Sequence, residues 1–110
     1  MITSKQILQT VSDYFDIPVE LITGKSRLRQ LVYTRAVAAY LMRDKTFMSY
    51  PEVARAMGMG SHTTAKAAHD RIASGVYGNE RTVCDVNALI KLIDESEVAD
   101  ERNQRPNRRN

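Results

Sequence analysis

Tryptophan is absent from this 110-residue sequence, aromatic residues make up 6% of it, and Cys84 is the single cysteine. With so few large rings the core must be aliphatic, and one thiol excludes an internal disulfide. Cys84, beside Val83 and Val86, reads as a small buried hydrophobe. No apolar run approaches the ~18 residues of a membrane span or the flanked apolar stretch of a signal peptide, which points to a reducing, cytoplasmic setting. Metal ligands are scarce: His62, His69 and Cys84 are too few at ligand spacing for zinc. No segment alternates apolar and polar residues as a half-buried strand does, no repeat recurs, and no linker separates two halves. The length allows one domain, which hides roughly two-thirds of its unfolded-chain surface.

The charge that is present is zoned. The net charge is +3, but residues 76–100 carry two basic and six acidic side chains, whereas residues 101–110 carry four basic and one acidic. Between Leu21 and Met42 there is no acidic residue at all, while Lys25, Arg27, Arg29 and Arg35 lie there. Four such charges read equally as a solvated loop or as a patch that attracts polyanions. From Asn103 to Asn110 the chain is rich in Arg and Asn with no apolar residue and reads as disordered, adding nonspecific phosphate attraction or nothing.

Helical periodicity fills the interval. Thr3 with Gln6 forms a capping box and Ile2 with Ile7 a hydrophobic staple, so a helix starts there and runs to about Phe15, before Asp16 and Pro18. Pro18 opens a short second helix through Ile22. Thr23 and Gly24 break the pattern, the basic loop follows, and Val37, Ala38, Tyr40 and Leu41 mark a third helix from Tyr33 or Thr34 to Lys45. Ser49 and Glu52 make a second capping box, with Met48 and Val53 as its staple, so a fourth helix runs from Tyr50 to Met57. Gly58, Met59 and Gly60 form a turn, Ser61 caps a fifth helix to Ser74, and Thr82 is expected to cap the last, on which Val83, Val86, Leu89, Ile90 and Ile93 recur. The fold expected is all-α, a compact bundle of about six helices. Two short helices across a glycine turn, Tyr50 to Met57 and then Ser61 to Ser74, fit a helix-turn-helix whose second helix enters the major groove.

Other chemistries fit poorly. Gly24, Lys25 and Ser26 end like a phosphate-binding loop, but Val19 stands where that motif needs its first glycine, and the triplet follows a helix rather than a strand. No base is placed against Cys84, and Asp94, Glu95 and Glu97 form a solvated acidic helix end, so catalysis is not expected and no cofactor or metal is implied. Tyr33, Tyr40, Tyr50 and Tyr77 are rings of the kind that stack on bases, but such platforms are usually built on sheets, and Tyr40 fits the core. Met42, Met48, Met57 and Met59 read as gap-fillers or turn contacts.

The run Gly58 to Ile72, GMGSHTTAKAAHDRI, resembles the signature of the C-terminal DNA-binding domain of DnaA, the bacterial replication initiator. Upstream, ILQTVSDYFDIPVELITGKSRLR is similar to that domain's opening helices and basic loop, Val37 to Met42 to its long helix, and SYPEVARAMG to its first helix-turn-helix helix. The likeness covers about Ile7 to Ile72. It implies the Trp-repressor-like helical fold and binding to double-stranded DNA, with the helix from Ser61 in the major groove. Arg27 matches the family's minor-groove arginine, and Lys25, Arg29 and Arg35 match basic positions of the same loop and helix start. His62, Thr63 and Thr64 match positions that meet thymine methyls, base edges or phosphates, and amides near Ser61 favour phosphate. Where the family has Gly-Arg-Asp before the histidine, this chain has Met59, Gly60 and Ser61; after Thr64 it has Ala65, Lys66 and Ala67 in place of Val, Leu and His. The target is therefore expected to differ from a standard DnaA box, with Lys66 supplying a new phosphate or guanine contact.

DnaA also carries an ATPase module ahead of this domain, whereas this sequence opens on Met1 and a capped helix. The expectation is a free-standing, nucleoid-associated regulator of transcription or replication, from a phage, a plasmid or a bacterium, without ATPase activity. Residues 1–95 are expected to be one helical DNA-binding domain and 96–110 a disordered tail. Expected partners are double-stranded DNA and other DNA-bound regulators or replication and transcription proteins, with no membrane. Monomer arrays and dimers both remain open. The altered residues 59 to 67 and the acidic last helix also allow a protein-interaction adaptor that keeps the fold without base reading.

Overall fold

A computed structural model of the chain describes residues 2–103, which form six helices and no strand. They are α1 (Ser4–Phe15), α2 (Val19–Ile22), α3 (Arg29–Thr46), α4 (Tyr50–Met57), α5 (His62–Ser74) and α6 (Asn79–Asn103). The centre of the bundle is α3. Ala36, Val37, Ala38 and Ala39 are all buried on consecutive positions, so this stretch has no solvent face. Its alanines let neighbouring helices come close: α1, α4, α5 and α6 all touch it. Ile7 and Val11 from α1, Val53 and Met57 from α4, Ala65 and Ile72 from α5, and Leu89 and Ile93 from α6 join the same core.

The ends are set by short-range chemistry. Thr3 and Ser49 each form a reciprocal capping box, with Gln6 and Glu52, which satisfies amides that the first helical turn leaves unpaired. Helix α1 stops at Asp16 in a left-handed conformation, φ 57°, with its N–H on the Ser12 carbonyl. Gly58 ends α4 at φ 71°, and the Met59 N–H closes the cap on the Ala54 carbonyl at 2.8 Å. A Cβ on Gly58 would lie 2.8 Å from the Thr23 carbonyl oxygen. The turn of the helix-turn-helix is thereby seated directly on the chain that leaves α2.

Three boundaries differ from the periodicity. Helix α3 begins at Arg29 rather than at Tyr33 or Thr34; its first turn buries only Leu31, and Arg29 and Gln30 are exposed, so it carries no apolar stripe. Helix α6 begins at Asn79, directly after Gly78 at φ 103°. Thr82 lies inside its first turn, buried, with its N–H on the Gly78 carbonyl at 3.1 Å, and is not the cap. Helix α6 continues through Asn103. The rest of the expected tail, 104–110, lies outside the described residues. Cys84 is exposed rather than buried, because α6 packs through Val86, Leu89 and Ile93, and the positions of Val83 and Cys84 turn outward.

One polar knot ties three helices. Asp85 of α6 accepts hydrogen bonds from Tyr14 of α1 at 2.9 Å and from Tyr33 of α3 at 2.6 Å. Burial, and then the bond to Asp85, push the Tyr33 phenol up to about 12 from its ordinary 10.0.

Gly58→Ala should lower unfolding stability by about 2 kcal/mol or more, from the left-handed φ and the approach to Thr23. Gly60→Ala meets nothing within 4 Å and should stay within about 0.5 kcal/mol. Urea unfolding of the pair checks both. The raised Tyr33 phenol contributes stability that is complete below pH 10.0 and lost as pH climbs to about 12. Alkaline unfolding of Tyr33→Phe should show a weaker pH dependence across that window.

Candidate nucleic-acid interface

The basic loop between α2 and α3 is held by a single side chain. Arg35, on the second turn of α3, donates through Nε to the Ile22 carbonyl at 2.7 Å, through one terminal nitrogen to Ser26 at 3.0 Å and through the other to Leu21 at 3.3 Å. A planar guanidinium can serve three carbonyls at once because its donors are fixed in a fork. Burial lowers the Arg35 guanidinium from its ordinary value. Ser26 adds a local turn, its hydroxyl accepting from the Leu28 N–H at 3.3 Å. Lys25, Arg27 and Arg29 are exposed, whereas Arg35 is half-buried and spends its donors on the loop backbone. Sequence grouped these four cations together; the structure separates three that face solvent from one that positions them.

Helix α5 starts at a built cap. Ser61 Oγ accepts from the Thr64 N–H at 3.4 Å and lies 3.3 Å from the Thr64 hydroxyl. Ser61, His62, Thr63 and Thr64 are all exposed, and the side chains of His62 and Thr63 have no hydrogen-bond partner among the described residues. The N–H groups of His62 and Thr63 belong to the unpaired first turn, where the helix dipole favours an anion.

Helix α5 presents two working faces. Ala65, Ala68 and Ile72 face the core. Thr64 and, two turns on, Arg71 look across a cleft of about 380 Å³ to Arg27 and Arg35, over Val32, Ala36 and Met59. The loop and the recognition helix therefore share one basic hollow, lined by three arginines, with no carboxylate in its wall. On the other side, Lys66 pairs with Asp70 at 2.9 Å. The hydrogen bond from Lys66 holds the Asp70 carboxyl below its ordinary range, and the same bond raises the Lys66 ammonium. Both side chains are exposed, so the pair is easily exchanged for another partner.

Behind the exposed arc, His69 locks α5 to its neighbours. Its ring stacks on Tyr40 at 4.8 Å and meets Tyr50 edge-on at 5.9 Å. Its Nε2 lies 3.2 Å from Asp44 of α3. Arg43, over the Tyr50 ring at 4.5 Å and donating to the Met48 carbonyl at 2.7 Å, fixes the approach to α4.

The structure thus brings Arg27 and Thr64 into one cleft, leaves Lys25 exposed on the loop, and sets Ser61, His62, Thr63 and Lys66 on exposed positions at the start of α5. Arg29 turns instead into a separate hollow with Tyr33 and Tyr77. Arg71 was not among the expected site residues. Its signal was present, since a position seven residues after Thr64 returns to the same helical face, although the residues singled out in the motif were those of the first two turns of the helix.

Arg35→Lys keeps the charge and loses the fork, leaving the carbonyls of Ile22 or Ser26 without their guanidinium donor. It should cost about 1–3 kcal/mol of stability and accelerate amide hydrogen exchange over residues 24–28. Unchanged exchange there would show that the loop does not depend on this clamp.

Residues 4–72, from the start of α1 to near the end of α5, match the family described as bacterial dnaA protein helix-turn-helix. The chain is similar to the chromosomal replication initiator protein DnaA of Lacticaseibacillus casei, with 34% identity over 92 residues, covering 84% of this chain and 20% of the relative. Similarity to the protein of the same name in Chloroflexus aurantiacus is 33%, covering 84% of this chain and 19% of the relative. For Corynebacterium jeikeium the values are 29%, 84% and 16%. The chain spans about a fifth of the length of the first two of these relatives.

Proposed function

The chain belongs to the bacterial DnaA helix-turn-helix family, and we propose that it binds double-stranded DNA sequence-specifically, as a DnaA-like, nucleoid-associated regulator of transcription or replication. The observation that carries this reading is the shared cleft, in which Arg27 of the basic loop faces Thr64 and Arg71 of the recognition helix. One duplex laid against that face meets α5 in its major groove and the loop in the adjacent minor groove.

Each side chain suits a role there. Arg27, exposed at the loop tip, fits a narrow minor groove, whose negative potential attracts guanidinium. Lys25, Arg29 and Arg71 neutralise phosphates, and Arg35 positions the loop that presents Lys25 and Arg27. Ser61 opens the helix whose unpaired His62 and Thr63 amides favour a phosphate. His62 and Thr63, without internal partners, meet base edges, and Thr64 offers a methyl to thymine. Lys66 exchanges Asp70 for a phosphate or for guanine. Gly60 and Ser61 in place of the family's Arg and Asp remove contacts of a kind worth about 1–3 kcal/mol each in discrimination, so the preferred site differs from a standard DnaA box.

Selection of bound duplexes from a random pool at near-physiological salt should enrich one motif. On that motif Arg27→Glu should weaken binding at least tenfold and flatten the dependence of affinity on salt by about one phosphate's share. Binding of the wild type that tracks salt alone, without enrichment, would refute sequence-specific reading. A protein that ignores DNA yet retains a defined protein partner after nuclease treatment would instead be an adaptor.

A further inference from the structure

A second hollow of about 420 Å³ lies on another side of the α3 start, between the first turns of α3 and α6. It is lined by Arg29, Gln30, Tyr33, Tyr77 and Arg81. Two guanidinium groups thus converge on one concavity, although α6 as a whole is acidic. The nearby carboxylate, Asp85, already accepts two phenol hydroxyls and lies 3.8 Å from Arg81 Nε. Arg81 is held in place without using its terminal nitrogens: its Cζ sits 4.5 Å from the centroid of the Tyr33 ring. Tyr33 is itself fixed by Asp85 and by the edge of Tyr77 at 5.2 Å. Among the described residues, the terminal nitrogens of Arg81, the Arg29 guanidinium, the Tyr77 hydroxyl and the Gln30 side-chain amide have no hydrogen-bond partner. The hollow therefore gathers donors that face solvent, of which Arg81 and Tyr77 are steadied by the Tyr33 ring, and a forked cation with a phenol beside it matches a phosphate monoanion.

We infer that this hollow seats a backbone phosphate of the bound duplex outside the helix-turn-helix footprint, with Arg81 and Tyr77 as binding residues that extend the contact made by Arg29. The inference rests on the proposed binding of duplex DNA. Continuity favours that source of phosphate, since Arg29 follows Arg27 by two positions and leads the basic segment from the cleft into the hollow. Arg81 is held by aromatic stacking rather than left as a mobile surface cation, so less ordering entropy opposes the contact.

The test compares wild type, Arg81→Gln, Tyr77→Phe and Arg81→Lys on the selected motif, embedded in duplexes of increasing flank length. On long duplexes Arg81→Gln should weaken binding about three- to tenfold and reduce the salt slope by about 0.9. Arg81→Lys should retain most of the slope, and Tyr77→Phe should lose affinity without changing it. On the shortest duplex, which ends before the hollow, all variants should bind alike. Equal affinity and slope for wild type and Arg81→Gln on every length would overturn the inference while leaving the DNA-binding reading intact. If wild type binds no duplex, that reading falls, and titration with inorganic phosphate followed by NMR decides the hollow. Shifts confined to Arg29, Tyr77 and Arg81 would then mark a seat for free phosphate, overturning the assignment to DNA, and no shift would overturn both.

Discussion

The three hydrogen bonds of Arg35 are the constraint on which the DNA-facing architecture depends. A loop rich in cations repels itself and has no apolar residue deep enough to anchor it; Leu28, its largest hydrophobe, is 69% exposed. Without an internal partner for the Ser26 carbonyl the loop after Thr23 would be solvated and variable in shape. One guanidinium from the central helix replaces that water. A cation therefore organises other cations, which is possible only because its charge is directed at carbonyl oxygens and its neighbours' charges are directed outward.

The opposite wall of the cleft is fixed by backbone rather than side chains. Gly58 brings the turn between α4 and α5 against the Thr23 carbonyl, one residue beyond the carbonyl that Arg35 Nε holds. Loop and recognition helix are thus referenced to the same short stretch at the end of α2. His69, stacked on Tyr40 and bonded to Asp44, then fixes the rotation of α5 about its own axis. These constraints set where Arg27 stands relative to Thr64, a spacing that a duplex can be read against only if it does not drift.

Much of this was legible in the residues. Thr3 with Gln6 and Ser49 with Glu52 announced two helix starts because a capping box is a local motif with local energetics. Gly58 marked the turn for the same reason, and the run His62, Thr63, Thr64 located the recognition helix. What was not legible depends on tertiary partners. The first turn of α3 has no apolar stripe because it projects into the basic surface. Thr82 resembles a cap, yet Gly78 takes the sharp turn and leaves the threonine inside. Cys84 looked buried because its neighbours are valines, but Val83 faces outward with it. Arg35 could not be told from Arg27 or Arg29, since one set of carbonyls, distant until the chain folds, separates a structural cation from exposed ones. Arg81 was hidden by the acidic composition of its helix.

The inward face of α5 has a further consequence. Ala65 and Ala68 meet the core through methyl groups alone, with Ile72 as the one large anchor, while His62, Thr63, Lys66 and Ala67 share the outward arc and take no part in the buried contacts. Packing and the outward surface are therefore written on separate sets of positions along thirteen residues of helix. Such a scaffold can be resurfaced: exchanging the outward side chains changes what the helix presents without renegotiating the architecture behind it. Divergence of the motif around Ser61 and Lys66 is then the inexpensive direction for this chain to evolve, and the same arc is where an engineer would begin to retarget it.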